Sequence, residues 1–122
     1  HDGTFTHFDL EMIQMGDPAH EVGISLSVFY LLMLVHPKWK KDYVDCAKAY
    51  WNAYQETIGF SLSDSFVSDM KNYLAMLMIG RVDAIFTLGW LKGYEDQVRK
   101  AALTLFDTDV NNLDDIFKII TQ

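Results

Sequence analysis

The chain has 122 residues, half of them apolar and 14% aromatic, and carries 17 acidic against 10 basic residues for a net charge of −7. That length and apolar content suit one domain with a packed core and exclude a disordered chain. The acidic balance excludes an extended nucleic-acid surface, because phosphate binding needs clustered Lys and Arg, and the only approach to a cluster is the short run Lys38–Lys41.

In chain order, Asp2-Gly3 reads as a turn, as at a hairpin tip. Thr4–Leu10 is rich in Thr and Phe and predicts a short strand, with Phe5, His7, Asp9 and Glu11 on one face. Gly16-Asp17-Pro18 marks a helix start: Asp17 caps, and Pro18 suits the first helical position, where no N–H is needed. That helix runs to about Val35 and is apolar nearly all round from Ile24, which predicts a place in the middle of the domain. His36-Pro37 ends it.

A second helix is predicted over about Lys38–Ile58. Trp39, Tyr43, Cys46, Tyr50, Tyr54 and Ile58 recur at spacings of three and four and form its buried face, with Cys46 an inert buried thiol and Trp51 off the stripe. Gly59 closes it. A third helix begins at Ser61–Asp64 with Ser63 as cap and Phe66, Met70, Tyr73, Leu74 and Leu77 inward. Its apolar pattern continues past Gly80 to Leu91. A helix over about Glu95–Phe106, a loop at Asp107–Asn111 and a last helix over about Asn112–Thr121 complete the chain, the last with Leu113, Ile116, Phe117 and Ile120 inward. The fold class is therefore mainly α, with a short strand or hairpin remnant before five to six packed helices. A lone strand needs a partner, supplied upstream of this chain or by docking on the helices.

The single cysteine cannot form an internal disulfide, no targeting segment opens the chain, and the longest apolar run, Val28–Val35, falls short of the ~18 residues of a span. The sequence reads as soluble and cytoplasmic, with neither membrane nor nucleic acid as partner.

One stretch carries a specific pattern. Asp2-Gly3, Phe8-Asp9-Leu10-Glu11, Gly16-Asp17-Pro18 and Glu21 together resemble the metal-binding segment of the aminoglycoside phosphotransferase and choline kinase-like superfamily. There, a hairpin tip leads into a strand ending in Ile-Asp-x-Glu, then Gly-Asp-Pro, then a helix with an acidic first turn. This chain has Phe8 where an aliphatic residue is usual and Glu21 where Asp is usual. The stretch from Met78 to Phe106 is also similar, in layout, to the helix pair that ends such kinases, the methylthioribose kinase-like branch in particular.

The resemblance implies roles. Residues 1–16 form a metal-binding strand and loop, and 17–122 a helical subdomain like the C-terminal helical lobe of the protein kinase-like fold. Asp9 holds Mg²⁺ against the phosphates of ATP, and Glu11 reaches the same or a second ion. Asp17 and Glu21 are structural, one as cap and one as a brace for the catalytic loop. The catalytic loop His-Gly-Asp-x-x-x-x-Asn, which supplies the base and a second metal ligand, lies just upstream in that family and does not occur here, nor does the nucleotide-binding lobe. The chain thus resembles the C-terminal part of a kinase. It is expected to be inactive alone, to need the missing N-terminal lobe or its equivalent, and to self-associate through exposed apolar surface.

Trp90 and Tyr94, beside Gly89 and Gly93, are candidates for the wall of an acceptor pocket, where aromatic faces suit a cationic amine or a sugar ring. Packing is the default role for both. Arg81 either pairs with a carboxylate or binds an anionic group. His7 reads as a packed residue rather than a third ligand, and His20 as a supporting one. Three readings follow: a fragment of a small-molecule phosphotransferase acting on an amino sugar, choline-like amine or thiosugar; a free-standing, non-catalytic all-helical interaction module; and a metal-dependent helical hydrolase, which would need more inward His and Asp than the chain offers.

Overall fold

The computed structural model describes residues 3–6, 15–84 and 87–120. Five α-helices dominate them: α1 Pro18–Val35, α2 Lys40–Thr57, α3 Phe66–Asp83, α4 Glu95–Asp107 and α5 Leu113–Ile120. Two short 3-10 turns, Pro37–Trp39 and Gly89–Leu91, lie in the α1–α2 and α3–α4 connections.

The start of α1 follows from its chemistry. Asp17 is extended, and its Oδ1 accepts the Ala19 N–H at 2.9 Å. Pro18 follows at a position whose N–H would have no helical partner. At the other end the His36 N–H reaches Leu32 O at 2.8 Å, and Pro37 prevents continuation. The turn at Pro37–Trp39 then reverses the chain into α2, making α1 and α2 a helical hairpin.

α1 is the central helix, packed most extensively on α3 and then on α2. Ala19, Gly23 and Ser27, small residues one turn apart, are all buried, and Gly23 sets the close contact with α3. A Cβ on Gly23 would stand 3.0 Å from Tyr73 Cβ and 3.2 Å from Leu74 N and Met70 O, so only glycine permits this approach. Ser27 Oγ is satisfied by Ile24 O at 2.7 Å, which lets a hydroxyl sit in the core.

α3 and α4 run antiparallel. Asp83, the last residue of α3, pairs with Arg99 near the start of α4. Lys71, near the start of α3, donates its Nζ to Thr108 O at 3.0 Å and Phe106 O at 3.5 Å, at the end of α4. The ammonium thereby satisfies carbonyls left open by the helix end, at the negative end of its dipole. α5 closes the core with Leu113, Ile116, Phe117 and Ile120, all buried and each contributing about 1.5–3 kcal/mol relative to exposure. The Tyr30 ring meets the Phe117 ring edge-on at 5.2 Å.

Several expectations need correction. Among the described residues there is no strand. Gly3 bends with φ 78°, Thr4 to Thr6 are exposed without regular structure, and the rest of the predicted strand, with His7, Asp9 and Glu11, lies outside the described residues. The α2 stripe is rotated: Ala47 and Trp51 are buried, whereas Cys46 is exposed. Two overlapping sets of three-and-four spacing run along this helix, and the one centred on Trp51 buries the largest ring. Trp51 stacks on Phe66 at 5.9 Å and belongs to the core. α3 starts at Phe66 without a side-chain cap and ends at Asp83, short of Leu91. Gly80 passes through it without a break.

α1 as a whole is 18 residues long with a mean hydropathy of 1.5, enough by length and composition to cross a membrane. Eight of its residues are buried in this fold.

Candidate functional site

The Asp-x-Glu…Gly-Asp-Pro pattern delivers the chain into the N-terminal end of α1, and three helices meet there. α1 contributes Asp17, His20 and Glu21. α2 contributes Tyr50 and Tyr54 from its last two turns, and α3 contributes Tyr73.

Asp17 is the hub. Besides capping Ala19, its carboxylate lies close enough to the Tyr73 phenol to hold the Tyr73 pKa above its usual value. The His20 ring meets the Tyr73 ring edge-on at 5.1 Å, which fixes the phenol from the other side. Tyr54 is also raised, first by partial burial and then by the negative charge of Tyr50, Asp17 and Glu21 around it. Tyr54 lies in an aromatic layer with Trp51 and Phe66, at ring distances of 6.1 Å to each. Glu21 is exposed in the first turn of α1, where a carboxylate is favoured by the helix dipole.

The result is an electronegative surface: two carboxylates backed by phenols and ring faces. It suits a cation and repels a phosphate. Among the described residues no three His, Cys, Asp or Glu side chains come together to hold a metal ion. Asp17 is committed to its cap. Asp9 and Glu11, the carboxylates to which the family resemblance assigns Mg²⁺, lie outside the described residues.

The other candidate residues sit elsewhere. Arg81 is half-buried in the last turn of α3, and its carbonyl accepts the Leu88 N–H at 3.0 Å, which folds the α3–α4 connection back on the helix. Trp90, in the second 3-10 turn, is 43% exposed. Tyr94 precedes α4, and Gly93 before it takes φ 91°. These three share one connection. Arg81 is two turns beyond Tyr73, about 12 Å along α3. The arginine with a carboxylate pair is Arg99: its guanidinium bonds Asp83 at 2.6 Å and Asp96 at 2.7 Å. Arg99 holds the Asp83 carboxyl below its ordinary range.

Tyr54 and Tyr73 were not legible as site residues. They reach Asp17 from separate helices, and no local spacing records that meeting. Comparison with family models, with curated proteins and with solved structures gives no match to this chain.

Proposed function

We propose that the chain is the C-terminal helical portion of a small-molecule phosphotransferase that uses ATP and Mg²⁺. The observation that carries the reading is the Gly16-Asp17-Pro18 turn: its carboxylate caps α1 and lies beside the Tyr73 phenol, and the turn follows Asp9-x-Glu11 after four residues. In this reading Asp17 and Tyr73 fix the exit of the segment that bears the metal-binding carboxylates. Asp9 and Glu11 hold Mg²⁺, which when bound neutralises charge on the phosphate oxygens. Glu21 braces the catalytic loop of the missing N-terminal lobe or its equivalent. Arg81, Trp90 and Tyr94 form the acceptor wall. The acidic balance of the chain suits a cationic acceptor, an amino sugar or choline-like amine, with a thiosugar as the other class.

The test is to recover the coding sequence upstream of His1, express the extended protein and supply ATP, Mg²⁺ and a panel of amino sugars, choline-like amines and thiosugars. One class is expected to be phosphorylated, the 122-residue chain alone to be inactive, and Asp9→Asn to lower turnover by about 10²-fold or more. A start codon immediately before His1, or an extended protein that neither binds ATP nor transfers phosphate, refutes the proposal and leaves the non-catalytic helical module.

A further inference from the structure

Clefts border the last helix on several sides. One of about 500 Å³ lies between Ile119 and Ile120 of α5, Met33 of α1 and Ala101 of α4. A second, of about 740 Å³, lies between Phe117 and Val44 of α2, and a third, of about 340 Å³, between Leu113 and Trp51 of α2. Packed interiors leave few voids larger than a water molecule, so borders this open forfeit contact along the flanks of α5. The helix packs chiefly on α4. The ion pair that ties it to α2, Lys48 with Asp114 at 2.6 Å, has both side chains exposed and holds weakly, and Lys118 spends its charge on Asp115 of the same helix. At eight residues α5 is too short to keep its shape alone, so it docks or leaves as one piece.

Its docking also carries a standing cost. The Phe117 ring meets the ring of Tyr30, which is fully buried and whose hydroxyl has no hydrogen-bond partner among the described residues. A buried hydroxyl without a partner opposes the state that buries it. We propose that α5 is a detachable latch: it leaves the body as one unit while α1 to α4 stay folded, uncovers a groove between α1, α2 and α4, and lets water reach the Tyr30 hydroxyl. The groove fits an amphipathic helix, since Leu113, Ile116, Phe117 and Ile120 occupy it at spacings i, i+3, i+4 and i+7. In the closed state α5 is its occupant. This inference does not rest on the phosphotransferase reading.

Native-state amide exchange on the whole chain, in low denaturant, is the test. Amides 117–120 are expected to exchange about tenfold or more faster than the buried amides of α1 and α3. Gly80→Ala, where the added methyl meets nothing within 4 Å, stabilises the body against global unfolding alone. It should slow exchange in α1 and α3 about fivefold and leave amides 117–120 unchanged. Tyr30→Phe removes the unpaired hydroxyl from the closed state and should slow both sets about fivefold. A peptide of residues 109–120 supplied in trans reads the vacated groove: Phe117→Ala, which loosens α5, should bind it about tenfold or more tighter than the unaltered chain does. Ile120→Ala serves if the first variant does not fold. Equal slowing of all amides by Gly80→Ala would mean that α5 leaves only with the whole fold. No slowing of amides 117–120 by Tyr30→Phe would mean that the hydroxyl stays sealed when α5 leaves, and a peptide that binds neither loosened variant would mean that no groove is uncovered. Each of these results overturns the inference.

Discussion

Two glycines in helix interiors should respond to the same substitution with opposite sign. Gly23 lies in α1 and Gly80 in α3. Replacing either by alanine removes backbone freedom from the unfolded chain and gains about 0.8–1.0 kcal/mol of helix propensity. At Gly80 the added methyl meets nothing within 4 Å, so Gly80→Ala should stabilise by about that amount. At Gly23 it would meet Tyr73 Cβ at 3.0 Å and two backbone atoms of α3 at 3.2 Å. None of these is the tip of a flexible side chain, so α1 and α3 must separate. Overpacking of this kind costs about 1–3 kcal/mol. Since the propensity gain is common to both, the two variants should differ by about 1–3 kcal/mol, with Gly23→Ala neutral to destabilised by roughly 2 kcal/mol. Urea unfolding followed by circular dichroism measures this directly, and equal m-values confirm that the unfolded states are comparable. Separation of the helices also draws Tyr73 from Asp17, so Gly23→Ala should lower the Tyr73 pKa and Gly80→Ala should not. Equal stabilisation by the two variants would refute the close α1–α3 approach.

Tyr30 is fully buried, and its hydroxyl has no hydrogen-bond partner among the described residues. Tyr30→Phe keeps the edge contact with Phe117 and should stabilise by about 1 kcal/mol, since an unsatisfied buried hydroxyl is removed; destabilisation by that much would show that the hydroxyl is paired. Burial also pushes the Tyr30 phenol above its ordinary 10.0, so the neutral form stabilises the fold below pH 10 and that contribution is lost as pH rises toward the folded value. Tyr30→Phe should therefore flatten the alkaline limb of the stability profile. Lys71→Met leaves the carbonyls at the end of α4 unsatisfied and should cost about 1–3 kcal/mol, read by chemical denaturation. Asp83 has the reverse sign from Tyr30: Arg99 lowers its folded pKa below the ordinary 3.8, so its contribution is present above that value and is lost as pH falls through the folded one. Asp83→Asn should remove that acid limb while leaving neutral-pH stability changed by less than about 1 kcal/mol, as befits an exposed pair.

The helices were legible where a local chemical signal marks them. Asp17-Pro18 fixes one boundary and His36-Pro37 another, and the four inward residues of α5 follow from a single unambiguous stripe. In α2 the same reasoning found Tyr43, Tyr50 and Tyr54, which pack against the core, but took in the exposed Cys46 and missed Ala47 and Trp51, because aromatic residues occupy two adjacent stripes and packing on Phe66 decides between them. Lys71 is a surface residue by type. Its place in the series Val67, Lys71, Leu74, Met78 marks an inward position, but the carbonyls that accept its protons are more than 30 residues away in sequence. Ala19, Gly23 and Ser27 likewise hold a four-residue rhythm that signals close helix packing, hidden by the general apolarity of α1. At the candidate site the cap was readable and the phenols were not, for the same reason: a cap is local, whereas Tyr54 and Tyr73 arrive by folding.

The acidic end of α1 has sufficient structural reasons to exist. A cap demands Asp17, and the helix dipole favours Glu21. Neither residue is therefore an argument for catalysis. Asp9 and Glu11 have no such explanation, since they precede the cap by more than one helical turn and are too distant in sequence to serve it. The Tyr73 phenol separates the two cases. A cap needs only the Ala19 N–H, yet the Asp17 carboxylate also lies beside the Tyr73 phenol of α3. That second contact does nothing for the first turn of α1 that the cap does not already do. It fixes the turn relative to α3, the service required if what enters that turn must be held in place against the helical body. Tyr73→Phe should accordingly leave the helix and its cap intact while loosening the Gly16-Asp17-Pro18 turn, visible as faster amide exchange at Gly16 and Asp17 with little change in global stability. Unchanged exchange there would reduce Asp17 to a cap and remove the structural support for an anchored metal segment.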